Sequence, residues 1–241
     1  AQITGEVGVA MITAAPGFAN GLSPLYSALM AESPMLLLSG DSPRGQDSLG
    51  AFQELDQVAM SAPVTKLSFR SDRVENLGHD IARAIRVARS GRPGPVHLAL
   101  PFDLLNADAA GGYLPSGNDF ESQVLSPAKS LVGNIADAIK SAARPVVLMG
   151  PMLNASRAAH IWDGGLQALA NALDAPVVPM ESPRGLIDPS LGDFASVLSK
   201  ADLIVSLGKI FDFTTGFGKP PAMSADCRFM VIDPDAEQLD R

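Results

Sequence analysis

The side chains best placed to do chemistry lie in two loops near the start of the chain. Ala14-Ala15-Pro16-Gly17-Phe18-Ala19-Asn20 closes the apolar run Val7–Thr13, and Ser39-Gly40-Asp41-Ser42-Pro43-Arg44 closes Met35–Leu38. A Pro-Gly loop that opens a helix presents unpaired amides and partial positive charge, which suits an anion or a polar ring. The same pair also satisfies an ordinary tight turn. Further on, Gly50-Ala51-Phe52-Gln53-Glu54-Leu55-Asp56-Gln57 offers an aromatic ring beside a side-chain amide, a combination suited to an aromatic or amide-bearing ligand. Phe52 reads equally well as core. At the far end Asp233 follows the run Cys227–Ile232 and reads either as a contact for a ribose hydroxyl or as an acidic cap for a helix starting near Pro234.

Other patterns fail on inspection. Gly216-Phe217-Gly218-Lys219-Pro220 lacks the third glycine and the strand-to-helix setting of a dinucleotide fingerprint. Gly192-Asp193-Phe194 and Gly40-Asp41-Ser42 stop short of the Gly-Asp-Gly that begins a diphosphate and Mg2+ motif. His79, His97 and His160 are scattered and form no metal-ligand spacing. No Gly-x-Ser-x-Gly elbow is present, and the lone Cys227 reads as a buried thiol. No catalytic nucleophile or general base is assigned in this chain, and no metal ligand.

The elements that must position these loops alternate. Strands are expected at Val7–Thr13, Met35–Leu38, Val64–Phe69 and Val96–Leu100, with helices at Phe18–Met30, Leu55–Met60 and Arg73–Arg89 between them. In the last helix Val74, Leu77, Ile81, Ile85 and Ala88 form one apolar stripe, leaving Asp80, Arg83 and Arg86 to solvent. Periodicity lapses between Ala107 and Pro127, as in an interdomain linker. Ser126 then caps a helix with Pro127 at its first position and an apolar face of Leu131, Ile135, Ala138 and Ile139. Strands Pro145–Met149, Ala175–Met180, Leu203–Leu207 and Arg228–Ile232 follow, with helices Ala155–Leu173 and Phe194–Lys200 and a long loop Glu181–Asp193. Residues 1–6 read as a helix tail ending at Gly5, which suggests a piece of a longer polypeptide. The fold class is α/β, in two doubly wound parallel-sheet units.

Composition limits what such a protein does. Of 241 residues 46% are hydrophobic and only 5% aromatic, so the core is aliphatic and needs no disulfide or metal staple. The net charge of -8 argues against a nucleic-acid partner, which needs clustered Lys and Arg. One cysteine and no apolar run of membrane-spanning length point to a cytoplasmic protein with no membrane partner.

The ordered set Thr13–Asn20, Gly50–Glu54, Asp56-Gln57-Val58, Val64-Thr65-Lys66 and Gly91-Arg92-Pro93-Gly94-Pro95-Val96 resembles the thiamine-diphosphate-dependent enzymes of the acetolactate synthase, benzaldehyde lyase and 2-hydroxyacyl-CoA lyase type. Pro145–Gly150, Ala201-Asp202-Leu203 with Gly208, and Ile232-Asp233-Pro234 extend the likeness to the end of the chain. The resemblance implies a partial pyrimidine-binding domain over residues 1–107, a linker over 108–126 and a Rossmann-like central domain over 127–241. It implies that the Gly-Asp-Gly-bearing diphosphate domain, and the glutamate that activates the aminopyrimidine, lie outside these residues, so that this chain alone is inactive.

Roles carried over by resemblance are these. Gln53, Gly17, Phe18 and Asn20 contact the cofactor, Pro16, Phe52 and Lys66 line the substrate space, and Arg92 meets the flavin of FAD-binding members. Arg92 and Asp233 are therefore the candidates for a central-domain nucleotide, although Gly91–Pro95 also reads as a structural turn. FAD or ADP in the central domain is not favoured, because Arg184-Gly185-Leu186-Ile187-Asp188-Pro189 departs from the His-Gly loop of the FAD enzymes. The implied parent uses thiamine diphosphate and Mg2+ to cleave or form a carbon–carbon bond in a 2-oxo acid or 2-hydroxy ketone, as a homodimer or homotetramer. Two alternatives remain: a non-catalytic nucleotide-binding or structural module, and one subunit of a split enzyme.

Overall fold

The computed structural model describes residues 1–122, 126–153, 165–181 and 184–239. The chain divides into two compact units, Ala1–Val124 and Leu125–Arg241, each built on a four-stranded parallel sheet.

In the first unit β1 (Gly8–Ile12), β2 (Met35–Asp41), β3 (Leu67–Arg70) and β4 (Pro95–Pro101) lie in the order β1-β2-β4-β3. Helices α1 (Pro16–Met30) and α2 (Gln57–Ser61) pack on one face and α3 (Leu77–Arg89) on the other. The chain moves one way across the sheet through α1 and α2 and returns through α3, and right-handed crossovers then require helices on opposite faces. Strand alternation supplies both cores: Ala10, Ile12 and Leu37 meet Phe18 and Leu25 of α1, while Leu36, Leu98 and Leu100 meet Ala84 and Ala88 of α3. The central strand β4 is buried along its whole length.

Several boundaries differ from the sequence reading, among them the start of β3, at Leu67 after a 3-10 turn over Ala62–Val64. β2 continues through Ser39-Gly40-Asp41, pairing with Ala99, Leu100 and Pro101, because the buried Ser39 hydroxyl finds a partner in His97 at 2.8 Å. α3 begins at Leu77 after a short 3-10 turn, and Arg86 is not simply solvated: its guanidinium donates to the Asp119 carbonyl at 2.6 Å. Residues 1–5 form a single turn in which the Gly5 amide donates to the Ala1 carbonyl at 2.8 Å.

The segment read as the start of a linker packs on the first unit. Tyr113 N–H donates to the Glu75 carbonyl, and the Asp119 carboxylate accepts from the Tyr113 hydroxyl and from Ser116. Gly78 makes this close approach feasible, since a Cβ there would lie 2.1 Å from the Tyr113 carbonyl oxygen.

In the second unit β5 (Pro145–Met149), β6 (Val177–Pro179), β7 (Leu203–Leu207) and β8 (Arg228–Ile232) take the order β6-β5-β7-β8. α4 (Lys129–Ser141) covers one face with Ile135 and Ile139, and Phe194 and Leu198 of a short helix at Phe194–Ser199 cover the other. The expected cap is absent from α4: the helix starts two residues past Pro127 with Ala128 before it, and Leu131 is exposed. Of the helix expected over Ala155–Leu173, Gly165–Leu173 is described, while 155–164, including His160, lies outside the described residues. Cys227 is buried among apolar side chains, which push its thiol pKa up.

Candidate functional site

A cavity of about 410 Å3 opens where β1, β2 and β4 end. Thr13 and Ala14 enter it from β1, Gly40 and Asp41 from β2, and Leu100 with Phe102 from β4. Phe52 and Gln53 complete it from the loop that follows β2. Carboxyl ends of parallel strands are where loops diverge and leave such room.

Local conformation at the rim is unusual. Ala15 has φ 44 and Gln53 φ 58, both in the region that side chains rarely occupy. Backbone strain of this kind, of order 1–3 kcal/mol per residue, persists only where surroundings over-determine it. For Gln53 the surroundings are visible: the Glu54 carboxylate accepts from the backbone N–H groups of Ser48, Ala51 and Gly50, which hold its carboxyl below the usual range. That carboxylate folds residues 48–54 into a compact loop and leaves Phe52 87% exposed beside the cavity. The side-chain amide of Gln53 has no hydrogen-bond partner among the described residues and is free for a ligand.

An ion network braces the same edge. Arg70 reaches from β3 across the small Ala99 of β4 to the Asp41 carboxylate at the end of β2, 2.7 Å away. Its guanidinium also pairs with Asp47 at 2.8 Å and donates to the Ser42 carbonyl. Arg44 is held by Asp103 at 2.7 Å and by the Asp72 carbonyl. Burial pushes the Asp41 carboxyl above its ordinary pKa, and Arg70 opposes that shift. The Gln57 side chain donates to the Gly40 carbonyl at 2.9 Å, so α2 fixes the cavity floor as well.

Beneath the floor lies a buried polar cluster. His97 Nε2 meets the Ser39 hydroxyl at 2.8 Å, and its Nδ1 meets Ser61 at 2.9 Å and Ser68 at 3.0 Å. Ser61 in turn donates to the Gln57 carbonyl. Burial lowers the His97 pKa to about 4, so the ring is neutral at physiological pH. Phe18 stacks on it with ring centroids 4.7 Å apart.

The sequence-derived candidates therefore separate. Phe52 and Gln53 line the cavity. Gly17 acts indirectly: a Cβ would lie 2.4 Å from Thr13 Cγ2, so only glycine lets α1 start this close to the end of β1. Pro16 is the first residue of α1, and neither it nor the exposed Asn20 is among the residues around the cavity. Phe18 is fully buried core, not a cavity wall. Lys66 sits at the opposite, amino edge of the sheet, where its ammonium donates to the carbonyls of Val87 and Ser90 at the end of α3. Burial there lowers its pKa to about 8. Arg92 occupies the same edge and pairs with Glu32. In the second unit Asp233 ends β8 and accepts from the Asp235 N–H at 2.9 Å, closing a turn.

Sequence reasoning passed over Glu54, Asp41, Arg70 and Gln57 as parts of the site. It also passed over Lys209 in the second unit, a buried lysine 3.2 Å from Asp212 just beyond β7. A lysine directly after an apolar strand and its glycine was the one available signal for it. Among the described residues no group of three or more His, Cys, Asp or Glu side chains is placed to hold a metal ion. Nor is any helix among them long and apolar enough to cross a membrane.

Comparison with known proteins adds the following. Residues 1–60 match the N-terminal TPP binding domain of thiamine pyrophosphate enzymes, and residues 132–241 match the central domain of the same enzymes. Oxalyl-CoA decarboxylase of Escherichia coli is 30% identical over 99% of this chain, which spans 43% of that protein. Human 2-hydroxyacyl-CoA lyase 1 is 29% identical over 98% of the chain and 41% of its own length. Catabolic acetolactate synthase of Raoultella terrigena is 32% identical over 86% of the chain and 38% of its own. A solved thiamine diphosphate-dependent 4-hydroxybenzoylformate decarboxylase from Rhodococcus jostii shares the fold, with a TM-score of 0.75 at 21% identity over 100% of this chain and 47% of that one. The chain thus spans less than half the length of these relatives, and it belongs to the thiamine pyrophosphate enzyme family, carrying sequence of its N-terminal and central domains.

Proposed function

We propose that these residues serve as the substrate-facing wall of a thiamine diphosphate-dependent lyase, carboligase or decarboxylase acting on 2-oxo acids or 2-hydroxy ketones. The observation that carries this reading is the cavity at the ends of β1, β2 and β4, with the unpaired Gln53 amide and the Phe52 ring presented by a conformationally constrained loop.

The residues present fit the ring side of the cofactor and not its diphosphate. Neutral and apolar groups dominate the cavity wall, with no lysine or arginine among the described residues that line it. Thiamine diphosphate, when bound, supplies the carbanion chemistry, and Mg2+ with the diphosphate is held by residues elsewhere. This chain's own contribution is positional. Gln53 orients a carbonyl or hydroxyl oxygen, Phe52 excludes water, Glu54 holds both in place, and Gly17 lets Thr13 and the start of α1 meet at the cavity edge.

A site completed by other residues fits a homodimer or homotetramer, and a single buried thiol fits a cytoplasmic setting. No central-domain flavin enters this reading. Arg92 is engaged by Glu32 and Asp233 by its own turn.

The test is the Gln53→Ala variant in the native polypeptide that carries this sequence. Loss of a substrate hydrogen bond lowers kcat/KM by about tenfold or more while leaving thermal stability unchanged. Unchanged turnover of every 2-oxo acid and 2-hydroxy ketone would remove Gln53 from the site.

A further inference from the structure

The two guanidiniums beside the cavity, Arg70 and Arg44, are both paired within the protein. The two terminal nitrogens of the Arg70 guanidinium donate to Asp47 and the Ser42 carbonyl, and its Nε lies buried 2.7 Å from the Asp41 carboxylate. Arg44 is taken by Asp103 and the Asp72 carbonyl. The carboxylates of Asp41, Asp47 and Asp103 outnumber the two guanidiniums they pair with, so this edge carries a net negative field. Asp41, with a side chain only 8% exposed, is the one charged residue on the cavity wall. An anion entering here would lose its hydration and meet no counter-ion.

The mouth has the opposite character. Phe52, Phe102 and Leu105 surround it, each more than half exposed to solvent. Single exposed apolar residues need no explanation, whereas three converging on one cavity mark a surface meant to be covered. A volume of about 410 Å3 holds a ring or a branched chain.

We propose that this cavity receives the uncharged apolar substituent of the substrate, an aryl or branched alkyl group, and discriminates against substituents that carry a carboxylate or phosphate. This rests on the reading of the cavity as the substrate side of a thiamine diphosphate site. Specificity arises from the closed Arg70–Asp41 and Arg44–Asp103 pairs, which deny an anion its partner, and from the apolar mouth. Two relatives act, by their names, on CoA thioesters, and their charged substrate class is the one this cavity disfavours.

The experiment uses the native polypeptide that carries this sequence, produced with a 15N label, and two probes that share a ring and differ in one group, benzyl alcohol and benzoate. Benzyl alcohol shifts the amides of Thr13, Gly40, Gln53 and Leu105, and benzoate binds at least about tenfold more weakly. Equal or tighter binding of benzoate, or no shift of these amides by benzyl alcohol, overturns the proposal. Asp41→Asn removes the negative charge of the cavity wall and the carboxylate beside Arg70 Nε, and raises benzoate affinity. Gln46→Arg, at an exposed wall position, does so without disturbing the buried pair and decides the matter should Asp41→Asn fail to fold. A Gln46→Arg chain with the preference intact also overturns it.

Thiamine-dependent turnover plays no part in these measurements. Loss of the preference in an active enzyme would overturn only this inference, and a retained preference without cofactor-dependent turnover would overturn only the proposed function.

Discussion

Phe18 and Phe52 show how the same residue type divides between fold and function. Both lie in segments whose composition suggests a ligand contact, yet Phe18 is fully buried against His97 and Leu25 while Phe52 stands in solvent beside the cavity. Truncation should separate them. Phe18→Ala is expected to cost about 3–5 kcal/mol of stability, the range for removing a buried ring. Phe52→Ala is expected to stay within about 0.5 kcal/mol, as surface changes do, while lowering activity. Urea unfolding of both variants reads the difference, and a large stability loss for Phe52→Ala would make it core. One sequence supports both readings because nothing local distinguishes an aromatic at the start of a helix, facing its own sheet, from one in a loop beyond it. Gly17, by contrast, was legible: a glycine between a strand end and a helix marks close approach, and Thr13 Cγ2 occupies the space a Cβ would need.

At the level of elements, the His97 cluster ties three strands to α2. Its ring bridges Ser39 of β2, Ser68 of β3 and Ser61 of α2 from the centre of β4. The histidine is neutral when folded, with a pKa lowered to about 4 against an ordinary 6.5. Above pH 6.5 neither folded nor unfolded protein protonates it, and its contribution to stability is complete. Between pH 6.5 and 4 the unfolded chain takes up a proton that the folded state refuses. Stability is therefore lost as pH falls through that window, by about 3 kcal/mol in all, and levels off below it. Amide exchange in β4, compared between the native sequence and His97→Gln, reads this slope, which should vanish in the variant. An identical slope in both would mean that His97 titrates normally in the folded protein.

The element order was legible because buried parallel strands read as apolar runs and α3 carries a clean stripe. Boundaries were less so. β2 runs on through Ser39-Gly40-Asp41 because the Ser39 hydroxyl, the Gly40 carbonyl and the Asp41 carboxylate find partners on β4, α2 and β3, and such long-range pairing leaves no local signal. The same reason hid Asp41 and Arg70 from the candidate site, since the ion pair joins residues on strands that are not neighbours. Lys66, named through the resemblance, lies at the amino edge of β3, away from the strand ends where the cavity opens.

For the whole molecule, two parallel-sheet units match two domains of one enzyme family, and the chain spans 43% or less of the curated relatives described above. Among the described residues its cavity is lined by apolar and neutral polar side chains with Asp41, and no metal cluster is placed. On the proposed function these residues work as part of a thiamine diphosphate site. Its most direct test is to isolate the native polypeptide from its source cells with an antibody to this chain, strip bound ligands, and follow turnover of 2-oxo acids and 2-hydroxy ketones with and without thiamine diphosphate and Mg2+. The account predicts a species that regains carbon–carbon bond cleavage or formation only when both are restored. A polypeptide that neither binds thiamine diphosphate nor turns over any of these substrates, alone or with whatever copurifies, would contradict it.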